Sequence, residues 1–228
     1  MGQMMMKLSF DAVIFDMDGV LVDSEPLYMA VERQSFAHYG IALDEREQSR
    51  FVGTSQQQMW REIKVMYGLE VAIADLIAEH QLQVLRVLGQ SSLEPMPGVM
   101  KLIEELKTHG IPCALASSSP RKLVECVLER IGLTGCFAPM ICGDEVRLSK
   151  PEPEIFLLAA ARLGVPPHRC LVIEDSRHGV AAAKAAGMQC IGLRNPNSGE
   201  QSLEGADWRY DNHQQIVQHH LRESHVQG

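Results

Sequence analysis

The apolar run Ala12-Val13-Ile14-Phe15 stops at Asp16-Met17-Asp18-Gly19, and no other stretch constrains the fold of this chain as tightly. A short apolar run closed by two acids and a glycine reads as a buried strand with a ligand at its exit, because open α/β sheets bind ligands outside the carboxyl ends of their strands. Side chains alternate between faces along a strand, but where the chain leaves it Asp16 and Asp18 can both turn towards one pocket. Two acids held there repel each other unless a hard divalent cation such as Mg²⁺ offsets them. Gly19 permits a sharp turn and a close backbone approach. Taken alone, the acids could equally be the turn formers that Asp commonly is after a strand.

From Pro26 to about Leu93 the texture is helical, with Leu27, Val31 and Phe36, then Met59, Ile63 and Met66, then Ile73, Leu76, Ile77, Leu82, Leu85 and Leu88 at helical spacing. This predicts an all-α insert of several helices, broken near Gly40, Gly53 and Gly68. The Val52 to Ser55 turn reads as a loop with a helix cap at Thr54 or Ser55. After Pro95-Met96-Pro97-Gly98 the pattern changes to alternation. A helix on Val99, Leu102, Ile103 and Leu106 ends at Gly110, and a strand over Ile111 to Ala116 runs into Ser117-Ser118-Ser119-Pro120. A helix through Leu123 to Ile131, a strand at Met140 to Cys142, a helix over Ile155 to Leu163 and a strand at Cys170 to Ile173 follow. A small-residue helix over Val180 to Ala186 and a strand over Gln189 to Leu193 complete the series, with a last short strand at Asp207 to Tyr210 and a helix around Gln214 to Leu221. Such alternation predicts an α/β fold, a Rossmann-like parallel sheet with helices on both faces, interrupted by the helical insert.

At 228 residues the chain can bury a substantial core. Its formal net charge of -8 argues against nucleic acid as a partner, since phosphate-backbone binders carry an excess of Lys and Arg. No run approaches the roughly 18 apolar residues of a membrane span. Met1 to Phe10 also lacks the apolar segment and cleavage site of a secretory signal, so the expected location is the cytoplasm, away from membranes. The six cysteines form no CxxC pair and fall mainly within apolar segments, which predicts reduced thiols.

The chemistry emerges when polar residues at strand ends are collected: Asp16 and Asp18, then Ser117, then Lys150 in Leu148-Ser149-Lys150-Pro151, then Glu174-Asp175 after Leu171-Val172-Ile173. In a parallel sheet these ends share one edge, so groups far apart in sequence can converge. The set offers a nucleophile, a hydroxyl, a cation and metal ligands, which suits phosphoryl transfer, where positioning and charge neutralisation do most of the catalysis. Singly, each has an ordinary explanation: Ser117 as a helix cap, Lys150 as a loop charge, Glu174-Asp175 as acids complementing a helix dipole. Their conjunction in this order is what argues for a site.

That conjunction resembles the haloacid dehalogenase-like hydrolase superfamily, in particular its β-phosphoglucomutase-like branch with an α-helical cap after the first strand. The resemblance is carried by DMDGVLVDSEP at Asp16, ALASSSP at Ser117, SKPEPEIF at Lys150 and VIEDSRHGVAAAKAAG at Glu174 and Asp175, and it runs from Asp11 to about Leu193. It implies a catalytic core of residues 1–24 and 95–228 and a cap of residues 25–94. It further implies that Asp16 is a covalent nucleophile forming an aspartyl-phosphate, and that Asp18 is a general acid and then base. Ser117, Ser118 and Lys150 would bind phosphoryl oxygens. Mg²⁺ would be held by Asp16, the main-chain carbonyl of Asp18, Asp175 and Glu174.

The resemblance also implies that the cap closes over the leaving group, with Glu25, Tyr28, Gly53 and Gln56 facing the substrate. Here the chain departs from β-phosphoglucomutase, which has a histidine and a phosphate-gripping arginine where this chain has Tyr28 and Gln56. A bisphosphorylated intermediate would be poorly held without that cation, so hydrolysis of a small phosphorylated metabolite, such as a sugar phosphate, is favoured over mutase chemistry. A non-catalytic binding protein on the same scaffold is disfavoured because every expected polar position is filled. Lys64, the one lysine between Pro26 and Leu93, falls on the polar side of its helical pattern, which removes the Schiff-base lysine a phosphonatase would need. A monomer is the expected state.

Overall fold

Strand β1 (Ala12–Phe15) is buried along its whole length because it is paired on both edges and covered on both faces. The structure is a computed structural model and describes residues 10–51, 56–199 and 201–221. In chain order, β1 is followed by helices α1 (Glu25–His38), α2 (Glu45–Ser49), α3 (Gln56–Tyr67), α4 (Ile73–Gln90) and α5 (Val99–Thr108). Then β2 (Cys113–Ala116), α6 (Arg121–Arg130), β3 (Met140–Ile141), α7 (Glu154–Leu163), β4 (Cys170–Glu174), α8 (Arg177–Ala185) and β5 (Gln189–Leu193) alternate. Finally come β6 (Trp208–Tyr210) and α9 (His213–Ile216), the latter continued by a wide π-helical turn over Val217–Leu221.

The strands form one six-stranded sheet in the order β3-β2-β1-β4-β5-β6, and every pairing is parallel. This is a Rossmann-like α/β fold, as the alternation predicts. Phe15 is in register with Leu115 on one side and Ile173 on the other. The residues after β1, β2 and β4 therefore leave the sheet at the same edge, beside β1, where the strand order reverses and a crevice opens.

Parallel strands need apolar cover on both faces, and period-2 alternation supplies it. Ala12 and Ile14 point into a layer with Ala159, Ala160, Ala182 and Ala183, whose small side chains let α7 and α8 sit close to the sheet. Val13 and Phe15 point the other way, into the larger cluster with Leu102, Leu106, Leu123 and Val127 of α5 and α6. Burying each such Phe, Ile or Val is worth about 1.5–3 kcal/mol, so β1 is anchored from both sides.

Helices α1 to α4 carry a second, smaller core of Phe36, Ile41, Phe51, Met59, Trp60, Ile63 and Leu76. Their base is continuous with the main core through Val31, Val84 and Leu88. Two residues expected on buried faces are exposed instead, Met66 (52%) and Leu82 (63%). The buried line of α4 is Leu76, His80, Val84 and Leu88, in steps of four, so Leu82 falls on the opposite side. The buried stripe of α3 ends at Ile63, and its last turn, with Val65, Met66 and Tyr67, projects into solvent. Helix α2 was not expected. Its signal is a capping box in which Asp44 accepts from the Glu47 amide and Glu47 accepts from the Asp44 amide. The expected caps Thr54 and Ser55 lie outside the described residues. All six cysteines are free thiols. No helix among the described residues is long and apolar enough to cross a membrane.

Candidate active site

The carboxyl edge of the sheet brings Asp16, Lys150 and Glu174 into direct contact. Lys150 Nζ donates to Asp16 Oδ1 at 2.6 Å, to Glu174 Oε1 at 2.7 Å and to the Ala116 carbonyl at 3.1 Å, which uses all three of its protons. Its loop is held in place by Glu154 at the start of α7, whose Oε2 accepts from the amides of Arg147 and Leu148. The ammonium also lies 5.0 Å from the centre of the Phe156 ring. The second oxygen of Glu174 accepts from the Asp175 amide, the Ser176 amide and the Ser176 hydroxyl, each at 3.0 Å. Glycine is required at 179, because a Cβ there would sit 1.7 Å from Glu174 Oε1.

Asp18 is held by hydroxyls instead. Ser24 Oγ donates to its Oδ1 at 2.5 Å, Tyr28 Oη to the same atom at 3.0 Å, and Ser119 Oγ to Oδ2 at 3.2 Å. Gly19 has φ of 75°, and a Cβ there would lie 1.9 Å from Asp175 Oδ2, so this turn both needs a left-handed residue and admits no side chain. Asp175 Oδ2 accepts a short hydrogen bond from Ser198. The Ser117 hydroxyl is fully buried and accepts from the Ser119 amide at 3.1 Å, which fixes the Ser117 to Ser119 loop. Ser117 does not cap α6, whose N-cap position is Pro120.

Oxygens of Asp16, Glu174 and Asp175 lie within 4.8 Å of one another, a buried all-carboxylate set. With Asp18 this places four acids beside a single ammonium. Burial, and then the neighbouring acids, push the Asp16 and Asp175 carboxyls above the ordinary carboxylate range, against the pull of Lys150. Burial also raises Asp18, against its three hydroxyl donors. For Lys150, burial works against the charge, but the Asp16 and Glu174 carboxylates outweigh it and keep the ammonium protonated. Surplus negative charge on hard oxygen ligands is the donor set that Mg²⁺ takes, so these residues fit that ion.

Above this floor is a cavity of about 460 Å³. Asp16, Asp18, Lys150, Glu174 and Asp175 line it from below, Ser118 and Ser119 from one side, and Glu25, Tyr28, Gln56, Ile77, His80 and Gln81 from the helical insert. The structure therefore brings together every proposed site residue except two: Ser117 sits behind the lining, and Gly53 lies outside the described residues. Glu25 is shifted up to about 7 by burial and by the nearby charges of Asp18, Glu32 and Asp23. Sequence reasoning missed Ser24, Ser119, Ser198 and His80. Ser24 and Ser119 stand inside the first two motifs and could have been found there; Ser198 and His80 carry no local signal.

The sequence model of the haloacid dehalogenase-like hydrolases matches residues 10–187. The chain is 36% identical over 196 residues to the phosphorylated carbohydrates phosphatase of Thermotoga maritima, covering 85% of this chain and 90% of that one. It is 33% identical over 189 residues to the fructose-1-phosphate phosphatase YqaB of Escherichia coli, covering 81% and 97%. Among solved structures, CbbY of Rhodobacter sphaeroides in complex with phosphate superposes with a TM-score of 0.82 at 28% identity, covering 91% of this chain and 96% of that one.

Proposed function

The chain belongs to the haloacid dehalogenase-like hydrolases and is a phosphatase, and from that premise we propose that it hydrolyses a small phosphorylated carbohydrate through a phosphoryl group carried on Asp16. The observation that carries this reading is the Lys150 ammonium bonded at once to Asp16 and Glu174 on the floor of a cavity, with Asp18 on separate hydroxyl supports.

In the first half-reaction an Asp16 carboxylate oxygen bonds to phosphorus as the ester P–O bond breaks, and Asp18 gives its proton to the departing alkoxide oxygen. The burial that raises Asp18 favours the protonated form this step needs. In the second, Asp18 takes a proton from water, whose oxygen attacks the same phosphorus and releases Asp16. The Ser117-Ser118 loop binds the phosphoryl oxygens, and the Lys150 ammonium, whose three protons hold the floor, offsets their negative charge. The Asp16 and Asp175 carboxylates and the Asp18 carbonyl would hold Mg²⁺, with Glu174 bound directly or through water. When bound, the ion neutralises charge on the phosphoryl oxygens. Residues 25–94 act as a cap over the core of residues 1–24 and 95–228, and their Glu25, Tyr28 and Gln56 face the leaving group.

The test is phosphate release from a panel of sugar, polyol, glycolate and nucleotide phosphates, with and without Mg²⁺, for the natural chain and Asp16→Asn. Release from a sugar phosphate that needs the metal and vanishes in a folded Asp16→Asn chain supports the reading. Wild-type turnover by that variant would end it, because an amide is no nucleophile.

A further inference from the structure

Among the described residues, six carboxylates line the cavity, those of Asp16, Asp18, Glu25, Asp144, Glu174 and Asp175, against one ammonium, that of Lys150. That ammonium is committed to the floor by three hydrogen bonds. The face opposite, supplied by α3 and α4, presents Gln56, Gln57, Ile77, His80 and Gln81. Among the described residues it offers no Lys or Arg. Val52 to Ser55, between α2 and α3, contain neither residue type by sequence. A second phosphate or a carboxylate on the substrate would meet no cation there and would face Glu25.

His80 is the centre of this face. It is 2% exposed and stands on the buried line of α4, yet it lines the cavity. Its Nδ1 is 3.2 Å from the buried Ser35 hydroxyl, and the Trp60 ring lies behind it at 6.1 Å between centroids, edge to face. Ser35 and Trp60 thus fix the ring through Nδ1 and one edge, and among the described residues no partner is recorded for Nε2. Next to His80 in the chain, Gln81 shares a 3.3 Å hydrogen bond with Gln56, and both line the same cavity.

We propose that His80, braced by Ser35 and flanked by Gln56 and Gln81, selects monophosphate esters whose far end is uncharged and rich in hydroxyls, and rejects bisphosphates and phosphorylated carboxylic acids. This rests on the phosphatase reading and names the substrate class for it. An uncharged imidazole and two amides give and accept hydrogen bonds from hydroxyls without attracting an anion, and burial, which pushes His80 down to about 4, keeps the ring uncharged at neutral pH. A site built for hydroxyls discriminates strongly, because its buried polar groups go unpaired when the hydroxyl is missing.

The experiment uses the full chain and four probes: glucitol 6-phosphate, fructose 1,6-bisphosphate, 2-phosphoglycolate and p-nitrophenyl phosphate. The natural chain is expected to prefer glucitol 6-phosphate over the bisphosphate and the glycolate by about tenfold or more in kcat/KM. His80→Ala should raise KM for glucitol 6-phosphate about tenfold, and raise it less for p-nitrophenyl phosphate, which has no hydroxyls to read. His80→Lys should shift the ratio towards the bisphosphate by about tenfold, a gain that damage to the fold cannot mimic. Binding to Asp16→Asn, followed through Trp60 fluorescence, gives the same ranking without turnover. It therefore separates this proposal from the phosphatase reading, which the p-nitrophenyl phosphate rates test alone. Equal binding of the monophosphate and the bisphosphate, or a ratio that neither His80 variant moves beyond twofold, overturns the assignment.

Discussion

The two sides of the cavity are built on opposite terms. On the sheet edge, Lys150 spends every N–H, Glu174 uses both oxygens and Asp18 uses both, at distances of 2.5–3.2 Å. Across from it, the face supplied by α3 and α4 is held by the longer 3.2 Å Ser35–His80 contact and 3.3 Å Gln56–Gln81 contact. The floor is organised before any ligand arrives, which is where charge stabilisation is most effective. The α3–α4 face is held by longer contacts, which suits a surface that must recognise and then release. Under the proposed function, reaction type and substrate choice fall to separate parts of one chain, and that separation can be attacked by experiment.

The largest effect is expected from Lys150→Met, which leaves the Asp16 and Glu174 acids together without their cation. Loss of the ammonium should lower kcat/KM by about a thousandfold or more. The unpaired buried charge should cost about 3–5 kcal/mol in urea denaturation, unless the acids take up protons instead. Next is Gly179→Ala. The added methyl must displace the Glu174 carboxylate, and a displacement near 1 Å predicts a fall of about a hundredfold in kcat for every substrate alike. A change confined to some substrates would break the division between floor and insert.

Each region also holds a buried histidine pushed down to about 4 by desolvation, His80 in the insert and His213 beside the sheet. Because both lie below the ordinary 6.5, the folded chain binds fewer protons than the unfolded one as acid is added. Their contribution is complete above pH 6.5 and is lost between there and about pH 4, by up to about 3 kcal/mol each. The raised Glu25 and Asp16 acids act in the opposite sense over the same range, so the His80 share is read as the difference in urea midpoint between the natural chain and His80→Gln, which should be larger at pH 7.5 than at pH 5.0. The smallest effect is Asp44→Ala, which removes the capping box of α2 at a cost of about 1 kcal/mol. Trp60 fluorescence should report that loss, while kcat for p-nitrophenyl phosphate stays within twofold.

Most of the floor was legible because its residues follow apolar runs that are unmistakable strands. Asp16 leaves β1, Ser117 leaves β2 and Asp175 leaves β4, so a parallel sheet alone brings them to one edge. Lys150 was legible for a different reason, the SKPEPE run, whose Glu154 turns out to fasten the lysine's loop. The insert was read less well. Periodicity found its helices but took Leu82 for a buried residue, since leucine on a helix says nothing about which side meets a neighbour. His80 carries no such signal, because a histidine inside an apolar pattern looks like an interruption until a pocket appears beside it. Ser198 lies in a loop after β5, and only the folding of that loop back over Asp175 gives it a partner.

The pairing of β1 has a consequence for synthesis of the protein. Strand β1 finds its neighbours only after Leu115 and then Ile173 have been made. Until then Asp16 belongs to no assembled centre, however well the intervening helices have formed. On the proposed function, a prematurely ended chain would lack hydrolytic power, which arrives with the closing of a long-range ladder rather than with any single residue.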